Sequence, residues 1–131
     1  MNYLLKKLKI YNDKRGKLIE LITKSDLVKD FNFGNLFIVT FDNKNIVRGN
    51  HYHEKQDEYY IVLEGKIEVR LIDIKTGEKK TIKLSSDNPQ YLRIGPLIAH
   101  FSSSLSEKAT LLGYNSKSYD LKSPDTKPYS E

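Results

Sequence analysis

Two histidines stand one residue apart in Arg48-Gly49-Asn50-His51-Tyr52-His53, with a carboxylate, Glu58, five positions on and Gly65 seven further. His100 is the third and last histidine of the chain. In extended backbone, residues i and i+2 face the same side, so the His51 and His53 Cα atoms lie about 6.6 Å apart at roughly 3.3 Å per residue. Imidazoles at that spacing can converge on one ion, and a carboxylate from a neighbouring strand can join them. Two other readings compete. The histidines are acid–base groups without an ion, since imidazole titrates near neutrality, or they are solvated side chains on a lysine-rich strand.

Composition narrows the chemistry. The chain has no cysteine, so it forms no disulfide framework and offers no thiolate to a metal. Nitrogen and oxygen ligands suit zinc, manganese, iron or nickel. With 22 basic and 17 acidic residues, the net charge of +5 favours an anionic partner. The lysines are spread out, only Lys6-Lys7 and Lys79-Lys80 being adjacent, and no nucleic-acid-binding motif is present. A small anionic substrate is expected, not nucleic acid. No apolar run has the length of a membrane helix, and Met1–Ile10 lacks a signal-peptide core. A cytoplasmic protein of one domain, 1–131, is therefore expected.

The elements that must position these residues are short strands. Leu4–Tyr11 and Leu18–Thr23 flank Asn12-Asp13-Lys14-Arg15-Gly16 and read as an opening hairpin, with Arg15 structural in its turn. Ser25–Phe31 reads as a helical turn capped by Ser25. Asn35–Phe41, Ile46–His53, Glu58–Leu63, Lys66–Ile74, Lys79–Leu84, Tyr91–Ile94, Leu97–Phe101 and Ala109–Asn115 read as strands. In Lys66–Ile74 the alternation is clean, with Ile67, Val69 and Leu71 on one face. If Glu58 points to the same interior, so do Tyr60 and Val62. A carboxylate within an apolar wall is costly to ionise without a partner. From Ser116 the chain reads as an irregular tail. About ten strands without helical periodicity predict an all-β fold, an antiparallel jelly-roll barrel.

The pattern H-x-H, four residues, Glu58, six residues, Gly65, followed downstream by Gly95-Pro96-x-x-x-His100, resembles the two motifs of the cupin superfamily. The resemblance implies that His51, His53, Glu58 and His100 hold one divalent metal ion. The second motif lacks one residue and a glycine found in the general form. Asp13-Lys14-Arg15-Gly16-Lys17-Leu18-Ile19-Glu20 and Arg48-Gly49-Asn50-His51 are similar to the bacterial 3,5-epimerases and 3,4-ketoisomerases of nucleotide-activated 4-keto-6-deoxyhexoses. Gly95-Pro96-Leu97-Ile98-Ala99-His100 has the ketoisomerase form, although those enzymes carry glutamine where this chain has Glu58. Gly49-Asn50-His51-Tyr52-His53 with Glu58, and Pro124-Asp125-Thr126, resemble the metal-bearing cupin domain of CapF-type capsular-polysaccharide enzymes.

These resemblances imply an isomerase or epimerase acting on a dTDP- or UDP-linked 4-keto-6-deoxyhexose in surface-polysaccharide synthesis, without an organic cofactor. Its reaction removes a proton beside the ketone, so the site must provide a base and stabilise an oxyanion. His51 corresponds to the base of the epimerases, with His53 beside it. One nitrogen cannot bind a metal and take a proton at once, so Tyr60 is a further acid–base candidate. Arg48 is carried over as a diphosphate contact, which guanidinium geometry suits. Tyr91 and Arg93, near the second motif, are candidate substrate contacts. Other classes using the same ligands are a metal-dependent dioxygenase, a phosphosugar isomerase and a non-catalytic sugar-binding cupin. Barrel edges need covering, and a homodimer is expected to cover them.

Overall fold

The alternation in 66–73 dictates a strand with one dry face, and the computed structural model, which describes residues 1–29, 32–116 and 124–130, contains it. The described strands are β1 (Tyr3–Lys7), β2 (Ile10–Asp13), β3 (Gly16–Ile19), β4 (Asn35–Phe41), β5 (Val47–His53) and β6 (Glu58–Glu64). They continue as β7 (Lys66–Asp73), β8 (Lys79–Ser85), β9 (Gln90–Ile94), β10 (Ile98–Ser104), β11 (Ala109–Asn115) and β12 (Thr126–Pro128). One five-stranded sheet runs β1-β9-β6-β11-β4, the other β12-β5-β10-β7-β8, and β2-β3 forms a separate hairpin. Every pairing within them is antiparallel. Among the described residues no helix is long and apolar enough to cross a membrane.

The two sheets bury one core between them. Tyr60 and Val62 from β6, Ile67, Val69 and Leu71 from β7, and Leu92 and Ile94 from β9 belong to it. The alternation seen in the sequence therefore gives the inner wall, and each fully buried aliphatic side chain contributes about 1.5–3 kcal/mol. Gly65 lets β6 turn directly into β7. Its φ is +79°, and a Cβ there would lie 2.3 Å from the Lys108 carbonyl oxygen.

A second, smaller cluster covers the outer face of the first sheet. Tyr59, Ile61 and Tyr91 project outward and are roofed by Leu8, Ile19, Leu21, Ile22 and Leu27. The N-terminal region thus departs from the single hairpin expected of it. Residues 3–7 pair with β9 as an added sheet strand, and only Ile10–Asp13 with Gly16–Ile19 makes the hairpin. The expected helical turn is a 3-10 turn over Lys24–Asp26, capped by Thr23, not Ser25. Residues 30 and 31, the end of that expected turn, lie outside the described residues. The tail differs as well, since Thr126–Pro128 adds an edge strand to β5.

Candidate active site

β5 carries His51 and His53 because its end is regular, but just before them the strand is not. His51 pairs with His100, whereas Phe101 pairs with Gly49, so Asn50 is an extra residue on β5. This is a β-bulge. Gly49 and Asn50 have φ of +102° and +57°, values that side chains disfavour. At Gly49 a Cβ would also meet the His100 carbonyl oxygen at 2.7 Å. The bulge has two results. It aims the Gly49 carbonyl at His51, whose Nδ1 lies 3.0 Å from it. It also resets side-chain parity, so that Arg48, paired with Ser102, shares the inner face with His51, paired with His100. In an unbulged strand Arg48 would face away from the histidines. Its guanidinium sits 6.0 Å from the Phe41 ring, and the residue is exposed at the end of the barrel.

Glu58 begins β6 opposite Ile94 of β9, facing inward, and His100 sits on β10 beside β5. The four side chains meet. One potential ligand atom from each of His51, His53, Glu58 and His100 lies within 4.8 Å of all the others. Ring centroids are 4.9 Å apart for His51 and His53, 4.6 Å for His51 and His100, and 5.5 Å for His53 and His100. Glu58 Oε1 lies 2.6 Å from His53 Nε2, and Oε2 lies 3.7 Å from His100 Nε2. His53, Glu58 and His100 are buried, and His51 is half-buried.

The outer nitrogens of the three rings are engaged. His51 Nδ1 faces the Gly49 carbonyl, His100 Nδ1 faces the Ile98 carbonyl at 3.1 Å, and His53 Nδ1 faces the Thr126 hydroxyl at 3.4 Å. A carbonyl only accepts, so it holds the proton on Nδ1 and turns a lone pair on Nε2 toward the centre. His53 Nε2, His100 Nε2 and Glu58 Oε2 are buried without a hydrogen-bond partner. His100 Nε2, its tautomer fixed by the Ile98 carbonyl, and Glu58 Oε2 turn lone pairs toward each other 3.7 Å apart with no donor between them, and such groups are costly to leave unpaired. A cation removes that cost, so the residues present fit a divalent ion held by three nitrogens and an oxygen.

Electrostatics agree with that arrangement. Burial holds the His51 imidazole below its ordinary pKa, with His53 beside it adding to the effect, and burial brings His100 down to about 4. Both are neutral bases at neutral pH. Burial is the largest single influence on the Glu58 carboxyl and raises it, but the His53 and His100 imidazoles and the Tyr60 hydroxyl together outweigh it, and the group ionises at about 2. Tyr60 lies on the same face, its ring 5.9 Å from that of His100. Burial and then the Glu58 charge push its phenol well above the usual range, so it keeps its proton.

Two expected substrate contacts lie elsewhere. Since Glu58 pairs with Ile94 and Tyr60 with Leu92, the odd residues of β9 point to the opposite face. Tyr91 is 1 % exposed, and its hydroxyl donates to Asp26 Oδ1 at 3.3 Å. Arg93 donates to Asp57 and to Asn2, both at 3.0 Å. Both are structural ties of the outer layer and not part of this site. Conversely, Gln56 is buried and donates to Glu58 Oε1 at 3.1 Å. Leu97, with φ +65°, donates its N–H to the His53 carbonyl at 2.7 Å. Neither has a sequence signature. Pro124-Asp125-Thr126 does carry one, and it joins the site through Thr126 and through Asp125, which accepts from the N–H groups of Glu54, Lys55 and Gln56.

Solved structures share this architecture. A mutant of the 3,4-ketoisomerase QdtA from Thermoanaerobacterium thermosaccharolyticum, in complex with TDP-4-keto-6-deoxyglucose, is 32 % identical and superimposes with a TM-score of 0.81 over 96 % of this chain and 86 % of that one. The capsular polysaccharide assembling protein CapF of Staphylococcus aureus is 22 % identical, with a TM-score of 0.71 over 95 % of this chain and 34 % of its own, a likeness of fold. The spore coat polysaccharide biosynthesis protein SpsL of Bacillus subtilis (strain 168) is 30 % identical over 129 residues, 94 % of this chain and 84 % of its own length. Residues 11–127 match the polysaccharide biosynthesis C-terminal domain. That span takes in the hairpin, the bulged histidine strand and the tail strand that closes on it, and the chain is a cupin-like member of the polysaccharide biosynthesis C-terminal domain family.

Proposed function

We propose that this chain is an isomerase or epimerase of a nucleotide-activated 4-keto-6-deoxyhexose, and that its quartet holds one divalent cation. The observation that carries the reading is the convergence of His51, His53, Glu58 and His100 on one point within 4.8 Å, with Arg48 brought to the same face by the bulge. The likeness over nearly the whole chain to a ketoisomerase solved with TDP-4-keto-6-deoxyglucose supports the substrate class.

When bound, the cation supplies Lewis acidity toward a ketone oxygen and so acidifies the neighbouring carbon. The chain does the rest. Arg48, exposed where substrate arrives, suits a diphosphate through two parallel N–H groups. His51, the least buried of the quartet, is a neutral imidazole and can take a proton whenever its Nε2 is free. Its roles as ligand and as base exclude each other, because one nitrogen has one lone pair. Tyr60, held protonated, serves as an acid that returns a proton. In the proposed homodimer, the exposed Tyr11 and Leu18 of the β2–β3 hairpin pack on the open edge of a partner's β4, beside Leu36 and Ile38. Light scattering at micromolar concentration is expected to give twice the monomer mass.

The deciding experiment is incubation with dTDP- and UDP-4-keto-6-deoxyglucose in deuterium oxide, followed by proton NMR, with metal analysis of the same preparation. Loss of the C3 proton signal is expected, with either a ketone moved to C3 or an inverted centre naming the reaction. Glu58→Gln is expected to release the metal and lower the exchange rate. Exchange at neither C3 nor C5 with either nucleotide would sink the substrate class, and iron-dependent oxygen uptake would replace it with a dioxygenase.

A further inference from the structure

The four residues between the second and third members of the quartet, Glu54-Lys55-Gln56-Asp57, form the turn from β5 to β6. The geometry of this turn sets the distance between His53 and Glu58. None of its four backbone N–H groups is satisfied from within the turn. Glu54 N–H donates to Asp125 Oδ1 at 3.0 Å, and Lys55 N–H is shared between Oδ1 at 3.2 Å and Oδ2 at 3.1 Å. Gln56 N–H donates to Oδ2 at 3.0 Å. The fourth, Asp57 N–H, donates to the Ser116 hydroxyl at 2.9 Å. Three successive N–H groups aimed at one point make a concavity for an anion. Here a carboxylate of the same chain, 69 to 71 residues away, fills it.

The segment that brings Asp125 also reaches the site directly. Thr126 pairs with His53, Lys127 with Tyr52 and Pro128 with His51. Tyr129 N–H donates to the carbonyl of Asn50, the bulge residue, at 2.9 Å. The one histidine of the quartet whose Nδ1 meets no backbone carbonyl, His53, meets the Thr126 hydroxyl. The C-terminal strand therefore touches the bulge, the second histidine and the turn that leads to Glu58.

We propose that Pro124–Tyr129 is a clasp that sets the cation-binding geometry, with Asp125 as its positioning residue and Thr126 orienting the His53 ring. The proposal rests on the quartet being a cation site. Asp125 makes no contact with the quartet and acts through the turn. A carboxylate suits the task because its two oxygens serve three donors, and its charge strengthens each bond. The neutral amide of Asn offers one acceptor and adds donors facing donors, so it fills the concavity badly. The filled concavity is also closed to phosphate.

The test uses the full chain, metal-free and zinc-loaded, with Asp125→Ala, Asp125→Asn, Thr126→Val and Thr126→Ser. Groups that hydrogen-bond a metal's ligands, as Thr126 would, alter affinity by about 10–100-fold, which is the upper bound for Asp125 acting through the turn. Zinc affinity, read by competition with a chromophoric chelator, is expected to fall by more than about twofold and up to that bound in Asp125→Ala and by less in Asp125→Asn. It is expected to fall in Thr126→Val and to recover in Thr126→Ser. In the metal-free protein, hydrogen exchange at Glu54, Lys55 and Gln56 is expected to speed by about tenfold or more in Asp125→Ala. Imidazole nitrogen shifts are expected to show a changed tautomer at His53 alone in Thr126→Val, leaving His51 and His100 on their carbonyls.

A merely structural role predicts a lower Tm with zinc affinity within twofold of wild type and unmoved His53 nitrogen shifts, and that result overturns the clasp. If Asp125→Ala does not fold, the Asn and Val variants decide. If wild type takes up neither zinc nor manganese, iron or nickel, the cation reading of the quartet fails on its own. The clasp is then judged by the metal-free signals, unaltered exchange and unaltered His53 shifts rejecting it.

Discussion

The two faces of the first sheet are built from the same strands, one residue out of step, and they put the same residue type to different uses. On the inner face of β6 lies Tyr60, against His100 and in the field of Glu58. On the outer face lie Tyr59 and, on β9, Tyr91, in edge-to-face contact with ring centroids 5.4 Å apart. Burial raises the phenols on both sides. What differs is the neighbouring carboxylate. Glu58 is a member of a converging quartet, whereas Asp26 is a knot that already binds Lys6, Thr23 and Tyr91. Neither residue type nor a raised pKa therefore distinguishes the tyrosine beside the quartet from those of the outer layer; the face does.

The sharpest way to break this comparison is to remove one hydroxyl from each side. Tyr60→Phe is expected to lower kcat by about 10²–10⁴, the range for loss of a positioned acid, while keeping Tm close to wild type. Tyr91→Phe loses a hydrogen bond to a charged group, worth roughly 1.5–3 kcal/mol before its 3.3 Å length is considered, and is expected to lower Tm while leaving kcat unchanged. Steady-state kinetics beside thermal unfolding checks both. Equal kinetic effects from the two variants would mean that the faces are not divided as described.

Parity is also what makes much of the molecule legible in the sequence. The alternation of Ile67, Val69 and Leu71 and the turn at Gly65 are sufficient for an inner wall and for the inward direction of Glu58 and Tyr60. The gathering of His51, His53, Glu58 and His100 is legible through the resemblance of their two motifs to the cupin superfamily, since spacing by itself leaves solvated and metal-free histidines as alternatives. Tyr91 and Arg93 mislead because closeness in sequence to a motif says nothing about face, and both stand at odd positions of β9. Arg48 is obscure for the opposite reason. A strand without a bulge would turn it away from the histidines, and nothing short of the pairing of Gly49 with Phe101 reveals that one residue is looped out. The role of Asp125 is hidden because its partners lie 69 to 71 residues away.

The bulge gives a second, smaller test on the opposite sheet. Gly49→Ala forces a side chain into φ +102° and sets a Cβ 2.7 Å from the His100 carbonyl oxygen, on backbone that cannot swing aside. Strained backbone of this kind costs about 1–3 kcal/mol, so stability by denaturant unfolding is expected to fall by that order. If the strand escapes by losing its bulge, Arg48 returns to the outer face and the Gly49 carbonyl leaves His51. KM for a nucleotide substrate would then rise along with the stability loss. A Gly49→Ala protein as stable and as active as wild type would mean that the bulge does not set the inner face.

The smallest effect belongs to the outer face and is read through pH. Asp26 accepts from Lys6 Nζ through Oδ1 and from Thr23 N–H and hydroxyl through Oδ2, at 2.8 and 2.9 Å. Burial by itself raises this carboxyl, but those bonds outweigh burial and bring it from 3.8 to about 2. A folded-state pKa below the unfolded one adds stability that is present above about pH 4 and is lost as the pH falls toward 2. A shift of that size corresponds to roughly 2 kcal/mol, reduced to about 1–2 because the Lys6 side chain is half exposed and its attraction is screened. Asp26→Asn is therefore expected to be less stable than wild type by that amount at pH 7, with the gap closing between pH 4 and 2. The difference between the two unfolding curves cancels the carboxylates they share, Glu58 included. The substitution leaves the inner face intact, so kcat is expected to stay at the wild-type value at pH 7. A gap that persists unchanged to pH 2 would mean that shape, and not the charge of Asp26, ties the N-terminal segment to the sheet.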